Sequence, residues 1–423
     1  MALENYNIKE SYGDIIKRYV DKDYLIDQYY RKFYFYYDKI EDISCFEDLK
    51  QNIENIYTND YLRKSTTTWS KVLSYVINDY KIAKQKDFYR SYIDNQKDRV
   101  VVIISDAFRY ECAKELSEKL KQETYEPAME YMIGSIPSYT SLGMASLLPH
   151  KEMAYDNKYK ITVDDLPCYD LSQRNKILVQ YNSDSIAVNY DDIMRKKRAD
   201  LRDMFIGKKV IYIYHNQIDA RGDKPSSENE VFNACEEAIQ EIAKLMRVLT
   251  SDISALNYIV TADHGFIYKR DKIEESDKVN IPPNSNIELN KRYILSDEFI
   301  QLEGSQTFSM NYLFGKDNNS YVAVPVGSDI FKAKGGGQNF VHGGASLQEI
   351  LLPVLKVHTH KATVEPNKVD LSLLNLMSGK IINLITNLDF IQTQPVSEDF
   401  VAATYSIHFE DDMGERITNT EQI

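Results

Sequence analysis

Residues 99–120, RVVVIISDAFRYECAKELSEKL, decide the fold. Val100 to Ile104 are all β-branched, with no polar residue among them. Such a run predicts a strand buried on both faces, as in a parallel sheet covered by helices. Asp106 comes directly after the strand. Cys112, Ala113, Leu116 and Leu120 then recur at helical spacing. In an open α/β sheet, ligands bind beyond the carboxyl ends of the strands, which puts Asp106 where chemistry is usually done. A single Asp between strand and helix is equally a helix cap. Its weight comes from the same pattern recurring downstream.

Working outward, strands are expected at Val100–Ile104, Val210–Tyr214, Tyr258–Thr261, Tyr321–Val326 and Ile350–Val357. Their alternation with helical stretches, of which 231–249 (VFNACEEAIQEIAKLMRVL) is the clearest, implies a mostly parallel sheet with right-handed crossovers. An irregular polar stretch, 270–319, includes Pro282 and Pro283. The preceding residues, 1–95, read as helical. Apolar side chains recur through Tyr24, Ile26, Tyr30, Phe33 and Tyr37, then Phe46, Leu49, Ile53 and Ile56, and again from Trp69 through Val72, Val76, Ile77 and Tyr80. This region shows no chemistry of its own. Beyond 361, short alternating runs such as Thr404–Phe409 suggest the start of a β-rich domain, cut off in this sequence. The expected organisation is therefore 1–95 helical, 96–360 an α/β core and 361–423 the beginning of a third part.

With 423 residues, 43% hydrophobic and 27% charged, the chain has an ordinary globular composition and room for two or three domains. No apolar run approaches the roughly 20 residues needed to span a bilayer, so no membrane partner is expected. The start has no signal-peptide hydrophobic region, and Cys45, Cys112, Cys168 and Cys235 form no CxxC pair. A cytoplasmic protein with reduced thiols follows. A net charge of −13 argues against a generally cationic nucleic-acid binder, though not against a local basic groove. The run Arg195–Arg198 is read as a solvated face.

The chemistry lies after the apolar strands. The second strand leads into Asp219 and Asp223, four residues apart; the third ends at Asp263-His264-Gly265; His342 stands in a glycine-rich loop before the last strand. Neighbouring strands are about 4.8 Å apart, so their ends can converge on one cleft. Four carboxylates and two imidazoles gathered there would repel one another without cations, and such oxygen and nitrogen donors suit one or two divalent metals. Between the first two strands, IPSYTSLGMASLLP reads as a loop entering a helix near Thr140. A hydroxyl bound to metal there would become a nucleophile, with Ser138 and Ser141 as adjacent alternatives. Arg109 is open to binding phosphate or to pairing with Glu111 or Glu115. His215 is open to touching substrate, and is more often structural.

These pieces together (VVVIISDAFRYE, IPSYTSLGMASLLPH, HNQIDARGD, VTADHGFIY and HGGASLQEILLPVL) resemble the alkaline phosphatase superfamily. The resemblance is closer to its PglZ-domain branch from BREX phage-defence systems. It runs from about residue 20 to 410, and YRKFYFYYDKI is similar to the helical region preceding that domain. The resemblance implies an alkaline-phosphatase-like core and a phosphoryl-transfer centre with two divalent metals, zinc first, manganese or magnesium as alternatives. Asp106, Thr140, Asp263 and His264 would hold one ion, with Thr140 as nucleophile; Asp219, Asp223 and His342 would hold the other. Thr140 would become a phospho-threonine that water then hydrolyses. Many members read DxxGH where this chain has Asp219-Ala-Arg-Gly-Asp223, and the carboxylate makes that site harder. The implied function is phosphoester hydrolysis in antiphage defence, favouring phosphodiesters, with nucleic acid among the candidates and other BREX proteins as partners. The alternatives are a metal-binding scaffold of weak or no activity and a phosphomonoesterase.

Overall fold

The Val100 run forms the middle of a six-stranded sheet. A computed structural model describes residues 10–271, 273–281, 287–316, 318–333, 339–360, 367–374, 387–396, 400–411 and 413–423; Pro282 and Pro283 lie outside them. The strands are Val100–Ser105 (β1), Tyr125–Ile133 (β2), Ser185–Asn189 (β3), Val210–His215 (β4), Asn257–Thr261 (β5) and Leu351–Thr359 (β6), in the order β2-β6-β5-β1-β4-β3. Both β1 and β4 are buried along their whole length. Each such Val or Ile contributes roughly 2 kcal/mol on leaving water.

Register explains why distant residues meet. β1 runs parallel to β4, with Ser105 opposite His215, and parallel to β5, with Ile104 opposite Thr261. The residues that follow, Asp106, Asn216 and Ala262, therefore emerge at one edge of the sheet. β6 lies antiparallel between β5 and β2, Val354 opposite Thr261 and Leu351 opposite Ile133. Its beginning thus lies at the edge where its neighbours end. The reversed strand delivers the His342 loop to the same place as Asp106 and Asp263.

Helices cover the sheet. In chain order the main ones are Tyr24–Tyr37 (α1), Arg63–Asn78 (α2), Tyr110–Lys121 (α3), Thr140–Ser146 (α4), Leu171–Tyr181 (α5) and Val231–Ile253 (α6). α6 extends the 231–249 prediction by four residues to Ile253, and its inner face from Val231 through Ile239, Ile242, Met246 and Leu249 is buried. The helical N-terminal region docks on α3 and α6. Arg31 of α1, fully buried, bonds Glu111 at 2.8 Å and Glu115 at 2.5 Å and also contacts Glu236. α2 begins at Arg63, ahead of the Trp69 start read from the sequence, and ends at Asn78.

Two expectations need correcting. Tyr321–Pro325 is not in the main sheet: it pairs antiparallel with Ile294–Ser296 and Ser305–Ser309 in a separate four-stranded sheet. Within 270–319, described segments that read as irregular form three of that sheet's strands, Ile287–Leu289 included. Their lengths of three, three and five residues give too little alternation to detect. The chain divides into two compact units, Met1–Ala362 and Thr363–Ile423. The second contains short ladders, including the antiparallel pair Ser406–Ile407 with Glu421–Gln422 inside the TYSIHF stretch and the chain end. No described helix is long and apolar enough to cross a membrane.

Candidate metal centre

Asp106 extends the β1–β4 ladder, its N–H donating to His215 O at 2.8 Å. The chain then turns sharply at Ala107, whose φ is +60°. A non-glycine residue there costs about 1–2 kcal/mol. The turn aims the Ala107 N–H at Asp263 Oδ1, 3.2 Å away, so two strand ends are linked through a backbone donor. Arg109 is buried in a pair with Glu111 at 2.7 Å, one of the two roles its sequence position left open.

His264 follows Asp263 and is fully buried. Its Nδ1 lies 2.9 Å from Gly265 O. A carbonyl only accepts, so Nδ1 carries the proton and Nε2 presents a lone pair. That nitrogen is 3.1 Å from Thr140 Oγ1, 3.4 Å from Asp106 Oδ1 and 3.5 Å from Asp263 Oδ2. Both carboxylate oxygens are buried and accept no hydrogen bond. Three lone-pair-bearing atoms thus face one another among buried side chains, with the Thr140 hydroxyl within donating distance of the His264 nitrogen. An arrangement of this kind is costly by itself and is relieved by a cation. The backbone carbonyl on Nδ1 is the usual orienting partner of a metal-ligating histidine.

The second group adjoins the first. The His342 ring stacks on His264, centroids 4.1 Å apart and planes within 6°. Its Nε2 is 3.7 Å from Asp219 Oδ1 and 3.5 Å from Asp223 Oδ1. Asp219 Oδ1 and His342 Nδ1 are buried without hydrogen-bond partners, whereas the Asp223 side chain is 60% exposed. Ligand atoms of Asp219, His264 and His342 lie within 4.8 Å of one another, as do those of Asp106, Asp263 and His264. All seven residues singled out from the sequence are therefore together, and the donor set, carboxylate and imidazole without thiolate, fits divalent cations.

Electrostatics of the side chains by themselves point the same way. Burial, then the charges of Asp263 and Asp219, pushes the Asp106 carboxyl well above the usual range. Burial raises Asp263 to about 6. Burial and the neighbouring His342 lower His264 to about 3. For His342, burial pulls downward, but the Asp223 and Asp219 carboxylates outweigh it and raise the imidazole to about 9. Protons are held or refused here according to where positive charge is scarce, which is the electrostatic demand that a bound cation meets.

Several residues hold these loops without touching the cleft. Ser138, weighed above as a nucleophile, is 1% exposed and committed elsewhere. Its Oγ donates to Gly344 O at 2.7 Å and accepts from Gly343 N at 3.2 Å, tying the Thr140 loop to the His342 loop. Glu349, fully buried, accepts from Gly344 N at 2.8 Å and Ser346 N at 3.0 Å and pairs with buried Arg292 at 2.6 Å. Trp69 Nε1 donates to Ala345 O at 2.8 Å. Ser138 and Trp69 each act on a backbone group far away in the chain, so no spacing marks them, whereas Glu349 stands three residues after Ser346 in a capping box. His215 bridges Ser105 at 2.9 Å and Glu241 at 2.8 Å, a structural role. The Arg195–Arg198 run is exposed.

Known proteins are similar to this chain over most of its length. Residues 86–357 match the family model described as the BREX system PglZ alkaline phosphatase-like domain. An alkaline phosphatase-like protein PglZ from Bacillus cereus (strain H3081.97) is 42% identical over 96% of this chain, and an alkaline phosphatase-like protein BrxZ from Escherichia coli O9:H4 (strain HS) is 31% identical over 96%. The chain spans 49% of the length of each. Murine ectonucleotide pyrophosphatase/phosphodiesterase 5 aligns with a TM-score of 0.44 at 12% identity, covering 62% of this chain and 88% of that one. The match over 86–357, more than half of the chain, places it in the PglZ family of alkaline phosphatase-like domains.

Proposed function

We propose that this chain is a metal-dependent phosphoester hydrolase acting on phosphodiesters, with Thr140 as nucleophile. In this reading Asp106, Asp263 and His264 hold one divalent cation beside Thr140, and Asp219, Asp223 and His342 hold a second. Zinc is the first choice for both. The observation that carries it is the 3.1 Å approach of Thr140 Oγ1 to the same His264 Nε2 that faces two buried, unpartnered carboxylate oxygens. Bound there, the cations would polarise the phosphoryl oxygens and lower the pKa of the threonine hydroxyl. Thr140 is half-buried at the start of α4, while Asp106, Asp263 and His264 are buried. Its Oγ1 forms the new bond to phosphorus as the alcohol of the ester leaves, and water then cleaves the phospho-threonine and restores the hydroxyl. The family assignment supports a place in a cytoplasmic BREX-type antiphage system with other proteins of that system as partners.

The test is hydrolysis of bis(p-nitrophenyl) phosphate against p-nitrophenyl phosphate by chelator-treated protein reloaded with Zn²⁺, Mn²⁺ or Mg²⁺. The expected result is diester turnover that is lost in Thr140→Ala and on chelation. A preference for the monoester would make the site a phosphomonoesterase. Metal uptake with no turnover of either ester would sink the hydrolase and leave a scaffold. Turnover of single-stranded or duplex DNA, measured alongside, decides whether nucleic acid belongs to the substrate class.

A further inference from the structure

The loops of the candidate centre converge on one backbone carbonyl, that of Asp263. α4 packs against it from one side, where a Cβ on Gly143 would fall 2.7 Å from the Asp263 carbonyl carbon. Against the same carbonyl lies the side chain of Gln85, which is fully buried. Gln85 Nε2 donates to Asp263 O at 2.6 Å and reaches Ala262 O at 3.4 Å, while Oε1 accepts from Ser135 N at 2.9 Å. Ala262 and Asp263 lie past the last ladder pair of β5, and Ser135 opens the loop that leads to Thr140. One amide therefore spans the ligand loop and the nucleophile loop.

The backbone around Gln85 is itself held. Ile133 N donates to Ala83 O at 2.8 Å, and Lys84 bridges Ile133 in parallel, so residues 83–85 run alongside the end of β2. A neutral amide both donates to a carbonyl and accepts from an N–H across this span; an ionised Glu keeps the acceptor alone, and Met keeps neither. Gln85 also stands one residue before the matched family region, which begins at 86.

We propose that Gln85 is a positioning residue, its side-chain amide fixing the separation between the Asp263–His264 loop and the Thr140 loop. The functional unit then starts upstream of the matched domain. The clamp stands on the hydrogen bonds above; its consequence for metal binding rests on the hydrolase reading.

The test uses the full chain carrying Gln85→Met or Gln85→Glu, with folding checked by circular dichroism. Two quantities are measured: Zn²⁺ affinity by competition with a chromophoric chelator, and hydrogen–deuterium exchange of peptides covering 135–146 and 262–268. The expected result is one ion bound about 10–100-fold more weakly, with faster exchange in both segments and none in α6. Asp223→Asn, a change at the other group, should weaken an ion without altering exchange at Ser135. A folded Gln85→Met with the parent's isotherm and exchange would overturn the proposal. If that variant does not fold, Gln85→Glu, which keeps the Ser135 bond, decides alone. A parent that binds no ion removes the metal reading only; exchange then decides, faster in support and unchanged against.

Discussion

Gly143→Ala is the sharpest probe of how the nucleophile is held. The added methyl would stand 2.7 Å from the Asp263 carbonyl carbon and 2.9 Å from Asp263 Cβ, against ordinary carbon contacts of about 3.5–4.0 Å. Something must move by about 1 Å. The Asp263 carbonyl is tied down by Gln85 and its side chain by Ala107 N, so α4 gives way. Thr140 lies one turn earlier on that short helix, and its 3.1 Å approach to His264 opens by a similar amount. Overpacking of this kind costs about 1–3 kcal/mol, which lowers the melting temperature by roughly 1–4 °C in a protein of this size. A 1 Å misplacement at a reacting centre costs on the order of 10²-fold in rate. Gly13→Ala is the control, since a Cβ there meets only Ser11 Oγ at 3.7 Å and the residue is helical, so stability should hold or rise. Calorimetric melts and diester hydrolysis per folded molecule measure both effects. A Gly143→Ala protein with the parent's melting temperature and kcat would show that α4 is not wedged against Asp263 and that the proposed Thr140 geometry is wrong.

The raised His342 imidazole gives a pH signature. Its pKa goes from 6.5 to about 9, so the stability it contributes is complete below about 6.5 and is lost as pH rises through 9. A shift of that size caps the loss at about 3 kcal/mol. Chelated protein should therefore melt lower at pH 9 than at pH 7, and Zn²⁺ should abolish the difference by taking the proton's place; a pH-independent melt in chelator argues against the His342–Asp219–Asp223 grouping. Glu349→Ala leaves Arg292 buried and unpaired and should cost about 3–5 kcal/mol in urea unfolding, whereas Arg292→Met with Glu349→Leu should cost clearly less than the two single changes summed. Additive costs would mean the pair is not coupled. Asp223→His, which restores the imidazole common in the superfamily, should raise Zn²⁺ affinity relative to Mn²⁺ in a competition assay; an unchanged ratio would place Asp223 outside the ligand set.

The strands that carry the site were legible because they are buried on both faces. β1, β4 and β5 each differ by at most one residue at an end from the runs read in the sequence. The edge strands were not. β2 reads YEPAMEYMI, with a proline, two glutamates and a mixed burial pattern, and β3 is only five residues long. A strand with one neighbour needs neither continuous apolar residues nor every N–H, so its signal weakens. The reversed direction of β6 was equally invisible, since alternation with helices predicts parallel crossovers.

The candidate ligands were legible for a related reason: charged residues placed directly after buried strands are expensive unless they have partners. Their supports carry no such mark. Ser138, Trp69 and Gln85 each bond a backbone group far along the chain, and backbone groups are the same in every sequence; Glu349 differs, its capping-box spacing from Ser346 being local. The stretch before residue 96 looked inert on that account, yet it donates to the carbonyls of Ala345 and Asp263, on the His342 and His264 loops respectively. Buried carbonyls without donors are costly. The geometry of the centre therefore depends on two donors, an indole and an amide, supplied by a segment that contributes none of its candidate ligands.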